Sequence, residues 1–238
     1  MATSDEKVLL QQAYYAQTAA TYDTMHPEER DEHAFAMHVL LGLLDFYDIK
    51  SVLDVGAGTG RATLFFKTRR PDIAVTGIEP VAELRAIGHQ KGLSIEELRD
   101  GDALALPFAT DSIDLVCAFG VLHHIEKPEL AIAEMLRVSR KAIFLSDSNN
   151  FAQGSVASKS IKQLINAVGL WPLANWIKTG GKGYSISEGD GLAYSYSLFN
   201  NYEQIKRACQ SVHLVNTHDG GRSPYHSANH VALLGIKS

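Results

Sequence analysis

Val52-Leu53-Asp54-Val55-Gly56-Ala57-Gly58-Thr59-Gly60 is the stretch that decides the fold. An apolar run ends at Val55 and gives way to alternating glycines, after which Ala62, Leu64 and Phe65 take up helical spacing. A strand that stops in glycines and restarts as a helix opens a βα unit, because glycine supplies positive φ and lets backbone come close to a ligand. Free N–H groups at the start of the following helix offer donors to a carboxylate or another anion. Taken alone, the loop also reads as a plain structural turn.

Outward from this loop, strand-like runs near 51–55, 73–79, 95–99, 113–118 and 141–146 alternate with helical segments over about 59–69, 81–90 and 128–138. Pro128 suits the first turn of the last of these. The alternation predicts the α/β class, a Rossmann-like doubly wound, mostly parallel seven-stranded sheet linked by right-handed crossovers, with the apolar runs 212–215 and 230–236 finishing it. Residues 148–200 break the rhythm and predict an insertion or cap after the fifth strand. There an apolar segment around Ile161 to Ile177 precedes a glycine-rich stretch, Thr179 to Gly191, that reads as a flexible loop. Trp171, Trp176, Tyr184, Tyr194 and Tyr196 could form a substrate roof, a satellite core or a dimer surface. Asn200 with Glu203 resembles a capping pair. Ahead of the core, 5–20 reads as a polar helix carrying Tyr14 and Tyr15, and Glu28 to Phe46 as a helix packed through Phe35, Val39, Leu43 and Phe46. The expected organisation is therefore 1–48, helical flap and packing helix; 49–147, ligand-binding core; 148–200, substrate cap; 201–238, completion of the sheet.

Composition narrows the function. Over 238 residues, 45% hydrophobic and 21% charged, the formal charge is −5, and no strongly basic block marks an extended nucleic-acid surface. Only Cys117 and Cys209 are present, which excludes a disulfide framework and fits a reducing compartment. No apolar run approaches the roughly 18 residues of a membrane span. A cytoplasmic protein with no membrane association and a small-molecule partner is the expectation, and a homodimer is compatible with it.

Two acids give the glycine loop its meaning. Glu79 closes the second strand, where a carboxylate accepts both hydroxyl hydrogens of a ribose. Arg61 stands where a dinucleotide fingerprint needs a small residue, so a nicotinamide ligand is disfavoured. After the third strand, Gly101-Asp102-Ala103 sets a carboxylate beside the apolar Leu104, Leu106, Pro107 and Phe108, surroundings suited to adenine.

In this order, Leu53 to Gly60, Gly77-Ile78-Glu79-Pro80, Gly101 to Phe108 and Phe119 to Ile125 resemble the motifs of class I S-adenosylmethionine-dependent methyltransferases. Val121-Leu122-His123-His124-Ile125 is similar to the small-molecule enzymes of the type 11 group. The likeness covers about residues 14 to 147. It implies S-adenosylmethionine as cofactor, with Gly56, Ala57, Gly58 and Gly60 along its methionine and ribose portions and Asp54 on the methionine amino group. Glu79 would take the ribose diol and Asp102 the adenine amine, with a backbone donor from Ala103 and ring contacts from Pro80, Ile78 or Leu104. Phe119 and Gly120 would border the sulfur. The implied reaction is methyl transfer to an oxygen or nitrogen of a small molecule; the alternatives are a non-catalytic cofactor sensor or partner subunit, then an RNA or protein methyltransferase.

His124 and His123 follow the fourth strand and are the candidate bases, since imidazole titrates near neutrality. As adjacent residues, at most one of them is expected to face the acceptor, with His124 favoured. Tyr14, Tyr22, Asn149 and Asn150 are candidate substrate contacts. Asp219, Arg222, His226 and His230 form a late polar cluster that reads as solvated loop; the spacing of its histidines would suit a metal only on a helix, so no metal is assigned. Gly180-Gly181-Lys182-Gly183 lacks the spacing of a phosphate loop.

Overall fold

The structure, a computed structural model, describes residues 3–25, 31–218 and 223–237; Glu28, Asp219 and Arg222 of the readings above lie outside them. Helix α1 (Ser4–Thr18) starts on a capping box in which the Thr3 hydroxyl accepts from the Glu6 N–H and the Glu6 carboxylate accepts from the Thr3 N–H. A short helix α2 (Tyr22–Met25) follows, and then α3 (Glu32–Leu43), whose first turn is capped by Asp31 accepting from the Ala34 N–H at 2.6 Å. The core then runs β1 (Ser51–Val55), α4 (Arg61–Arg69), β2 (Ala74–Ile78), α5 (Ala82–Gln90), β3 (Leu98–Arg99), β4 (Ile113–Phe119), α6 (Pro128–Val138) and β5 (Ser139–Ser148). The cap contains α7 (Val156–Ala167), α8 (Trp171–Lys178) and a hairpin of β6 (Tyr184–Ser187) and β7 (Gly191–Tyr194). Helix α9 (Tyr202–Ala208), β8 (Ser211–Asn216), α10 (Pro224–Ser227) and β9 (His230–Ile236) complete the chain.

Seven strands form one sheet in the order β3-β2-β1-β4-β5-β9-β8. The first five pair in parallel, and β9 is antiparallel to both of its neighbours. Because successive strand residues point to opposite faces, Leu53, Val116, Ile143 and Val231 meet α6 through Ile132 and Met135 on one side. Val52, Leu115, Phe144 and Ala232 meet α3 and α4 through Met37, Leu40 and Phe66 on the other. Burial on both faces is what makes the central strands read as unbroken apolar runs.

Three local readings change. Phe35 and Phe46 are 50% and 78% exposed, and the side chains of α3 that pack inward are Ala34, Ala36, Met37 and Leu40; small residues bring this helix close to the sheet. The glycine-rich loop contains the β6–β7 hairpin, which is anchored on α1: the Tyr14 hydroxyl accepts from the Gly189 N–H at 2.7 Å, and a Cβ on Gly191 would lie 2.6 Å from the Tyr14 ring. Asn200 does not cap α9; Asn201 precedes that helix without a side-chain cap, its amide donating to Gln204.

Gly60 is the N-cap of α4 at φ 81°, and a Cβ there would sit 2.3 Å from Leu93 Cδ1. Both the left-handed backbone and the overpacking disfavour a side chain, so Gly60→Ala is expected to lose about 2–4 kcal/mol of stability. Urea denaturation measures this, and an unchanged midpoint would show that the loop relaxes freely.

Candidate functional site

Strand order places the carboxyl ends of β3, β2, β1 and β4 side by side, and the chain leaves them through Asp102, Glu79, Asp54 to Gly60, and Phe119-Gly120 respectively. The order reverses between β1 and β4, where open α/β sheets form their ligand crevice. A cavity of about 980 Å³ opens there, bordered by the loop after β1, the turn after β4, α1 and the cap. This is at the upper end of the range for small-molecule sites, roughly 300–1,000 Å³.

Asp54 lines the cavity while 2% exposed, and its Oδ2 accepts from the Thr63 hydroxyl at 2.9 Å. Burial pushes its carboxyl up to about 6, against the Thr63 hydrogen bond. Glu79 is 6% exposed and spans the loop, Oε2 accepting from the Gly58 N–H at 3.0 Å and Oε1 from the Val81 N–H at 2.9 Å. Burial pushes it to about 7, and those two amides pull the other way. Gly56, Ala57, Phe119 and Gly120 also line the cavity. Gly56 must lack a side chain, because a Cβ at its φ of 71° would lie 2.6 Å from Val121.

The remaining core residues singled out in the sequence lie beside the cavity rather than on its wall. The Tyr22 hydroxyl would be 3.3 Å from a Cβ on Gly58 and covers that glycine, while Gly60 faces Leu93. Asp102 is exposed beyond β3, with Oδ1 accepting from the Leu104 N–H at 2.9 Å. Pro80 and Ala103 flank Glu79 and Asp102 in the chain, outside the lining.

Both histidines face the cavity, contrary to the expectation that adjacent residues diverge. They occupy a 3₁₀ turn, Leu122–His124, and their ring centroids are 4.0 Å apart. They differ in charge. His123 Nδ1 lies 2.8 Å from Asp147 and Nε2 3.4 Å from Asp190. Burial alone would lower its pKa, but the two carboxylates prevail and raise it to about 10. At neutral pH His123 is thus held as an imidazolium by its two carboxylates. Asp147 is held well below the carboxylate range despite its burial by that charge and by the Ser148 N–H, and it also accepts from the Leu122 N–H. In His124, Nδ1 donates to the Leu192 carbonyl at 2.8 Å, leaving Nε2 as acceptor 2.9 Å from the Tyr15 hydroxyl. Burial, then the neighbouring His123 charge, lowers the His124 pKa and keeps it neutral.

The proposed substrate contacts divide. Tyr22 and Asn150 line the cavity. Tyr14 does not, being occupied with the hairpin as described. Asn149 is fully buried outside the lining: its amide donates to the Tyr225 and Ala228 carbonyls and its Oδ1 accepts from Ser197. It is a strut joining β5, the cap and α10. Asn150 Oδ1 and Asn229 Oδ1, by contrast, are buried lining atoms with no hydrogen-bond partner. Asn229 and Asp190 carry no local signal in the sequence, whereas Tyr15 belongs with Tyr14 and Tyr22 to the N-terminal aromatic residues that the resemblance implies fold over cofactor and acceptor.

His230 is not on a solvated loop but 7% exposed on β9, bonded through Nδ1 to the Thr217 hydroxyl, with its ring 4.7 Å from that of His33. Burial drives its pKa to about 3 and lowers that of His33. Glu32, His33 and His230 bring ligand-type atoms within 4.8 Å of one another, as do His123, His124 and Asp190, so the chain has metal-type groupings that the sequence spacing did not reveal.

Residues 53–144 match the methyltransferase domain family. That stretch runs from β1 into β5 and holds the glycine loop, Glu79 and the turn with both histidines. The chain is 35% identical over 127 residues to the phosphatidylethanolamine N-methyltransferase of Cereibacter sphaeroides, covering 50% of this chain and 61% of that one. It is 37% identical over 94 residues to the demethylmenaquinone methyltransferase of Deinococcus radiodurans, covering 37% of this chain and 38% of that one. The methyltransferase domain thus accounts for the likeness, and the matches span less than two thirds of those relatives. The fold is shared with the magnesium protoporphyrin IX methyltransferase of Synechocystis PCC 6803 with bound SAH, at TM-score 0.63 and 14% identity over 98% of this chain and 99% of that one. A methyltransferase of Thermotoga maritima, described as a possible histamine N-methyltransferase, superposes with TM-score 0.59 at 15% identity, over 96% of this chain and all of that one.

The His123 charge has a measurable signature. A pKa of about 10 in the fold against 6.5 unfolded means that its stabilisation is complete below pH 6.5 and is lost as the pH rises towards 10. The unfolding free energy should fall across that window in the wild type and less steeply in His123→Gln. Equal slopes would mean that His123 is neutral.

Proposed function

We propose that this chain transfers a methyl group from S-adenosylmethionine to an oxygen or nitrogen of a small molecule. One observation carries the reading: Asp54, beside the glycine loop, lines the same cavity as the neutral His124, and Glu79 and Asp102 stand next to that cavity at the ends of the two neighbouring strands. The residues fit the cofactor. Asp54, raised to about 6 with only the Thr63 side chain and backbone N–H to stabilise its charge, is matched to an ammonium such as the methionine amino group. Glu79 at the end of β2 suits a ribose diol, and Asp102 with the Ala103 backbone an adenine edge, beside Ile78 and Pro80. The bare backbone at Gly56 and Gly120 leaves room for the methionyl chain next to Phe119.

When bound, the sulfonium supplies an activated methyl group, so the chain's main contribution is alignment, for which well-oriented reactants gain roughly 7–11 kcal/mol. Tyr22 covers the loop and α1 closes one wall, excluding water. Asn150 and Asn229 line the cavity where the methyl acceptor would sit. The proton released there passes to the Tyr15 oxygen as the Tyr15 hydrogen moves to His124 Nε2, along the 2.9 Å hydrogen bond. Desolvation raises the Tyr15 pKa and disfavours a free phenolate, so transfer through Tyr15 must be concerted with protonation of His124. His123, already charged, holds Asp190 and the turn in place.

Calorimetry tests the cofactor half. S-adenosylhomocysteine should bind the wild type, with Glu79→Gln weakening it roughly 10- to 100-fold through loss of a charged acceptor and Gly58→Asp abolishing it. A wild-type protein that binds neither this product nor S-adenosylmethionine overturns the proposal.

The proton path is tested separately with any acceptor that turns over. Tyr15→Phe and His124→Gln should each lower kcat by about 10²-fold or more while product affinity stays within a factor of three. An unchanged kcat in both removes the relay and leaves alignment as the source of rate.

A further inference from the structure

Helices α7 and α8 have their polarity reversed with respect to the protein body. On α7 the groups turned inward are polar: the Lys162 ammonium donates to the Asn150 carbonyl, the Gln163 amide to the Phe151 and His226 carbonyls, and the Asn166 amide to the Tyr225 hydroxyl. The outward side is apolar, with Ile161 58%, Leu164 66% and Val168 60% exposed at helical spacing. Leu170, Leu173, Trp176 and Ile177 continue it at 54%, 55%, 52% and 66%. Neither helix has a buried residue. Such a face on a water-soluble body marks a site of association.

Charge identifies what it meets. From Ser148 to Ser187 the sequence contains Lys159, Lys162, Lys178 and Lys182 and no Asp or Glu, in a chain whose formal charge is −5. The lysines are close enough for Lys159 and Lys178 to act on Lys162. A second copy of the chain, docked by two-fold symmetry, would bring this cluster against itself without an acid to compensate it. An anionic lipid surface satisfies both properties, since apolar side chains settle at the headgroup and acyl boundary and lysines are drawn to phosphates. Lys178, Thr179 and Lys182 also line the cavity, as do Asn175 and Ile186.

We propose that α7 and α8 dock on an anionic bilayer, with the mouth of the cavity held at the lipid headgroups. The helices lie on the membrane and do not cross it: among the described residues, no helix is long and apolar enough to span one. This revises the expectation of no membrane association. It also makes amphiphiles within the bilayer, with polar heads and apolar tails, the class of molecule that reaches the site without passing through water.

The chain's two tryptophans both lie on α8; Trp176, 52% exposed, reports the docking directly, while Trp171 packs on Phe151. Phosphatidylcholine vesicles containing phosphatidylglycerol should shift the Trp176 fluorescence to the blue, and brominated acyl chains should quench it. Pure phosphatidylcholine should do so weakly. Lys178→Glu with Lys182→Glu should lower the partition coefficient at least about tenfold, and Leu164→Asp with Ile177→Asp should abolish the quenching, with circular dichroism and melting confirming that both variants are folded. No blue shift on anionic vesicles overturns the proposal. So does sedimentation equilibrium showing a dimer that dissociates in Leu164→Asp while vesicles are not bound, which would assign the face to a second copy. Vesicle binding requires neither cofactor nor turnover, so it stands or falls apart from the reading of methyl transfer.

Discussion

Asp147, at the carboxyl end of β5, is an ionised side chain only 1% exposed. A charge so placed is tolerated only when it is paired and hydrogen-bonded, and here the Leu122 N–H, the Ser148 N–H and the His123 imidazolium all serve it. Much of the site depends on this arrangement. Holding the Leu122 N–H fixes the turn after β4, and that turn aims His124 at the Leu192 carbonyl and the Tyr15 hydroxyl. The hairpin carrying Leu192 and the helix carrying Tyr15 are therefore placed by a carboxylate that touches neither. Asp190, bonded to the outer nitrogen of His123, completes the link to the hairpin.

The two sides of the cavity use buried charge differently. Towards β1 and β2, Asp54 and Glu79 are raised by desolvation that their partners within the chain offset only in part. Towards β4 and β5, Asp147 is served by the His123 imidazolium and two amides and is held low, and the part-exposed Asp190 of the hairpin is held low by the two imidazoles beside it. The second pair holds His123 charged and the turn in place, while burial and that neighbouring charge keep His124 neutral against the pull of Asp190.

What the sequence revealed follows the distance over which each signal acts. Strands β1, β2, β4, β5 and β9, the glycine turn and its acids are local patterns: apolar runs, positive-φ glycines and strand-end carboxylates are fixed by near neighbours. The charge of His123 is not local, because it is set by Asp147 and Asp190, which come from β5 and the cap. Tyr15 gains its meaning from a histidine more than a hundred positions away. Asn149 and Asn150 are adjacent and identical in type, yet one is a satisfied strut and the other faces the cavity, a distinction made by Ser197, Tyr225 and Ala228. Phe35 was misplaced for the opposite reason: helical spacing alone marked an apolar stripe, while the sheet surface selected alanines and a methionine. In the cap, the apolar spacing of α7 was legible but its outward direction was not, because direction is decided by which carbonyls the polar side can reach.

Strand β9 lies between β5 and β8, although it is made after both. During synthesis the nascent chain therefore holds β5 with one long edge unpaired, and β8 with no partner in the sheet, until the segment from His230 to Ile236 leaves the ribosome. An exposed edge of ten mostly buried-type residues is a template for pairing with other chains. Vectorial synthesis thus leaves an interval in which most of the crevice can assemble while the sheet is still adhesive, and the last strand closes that interval.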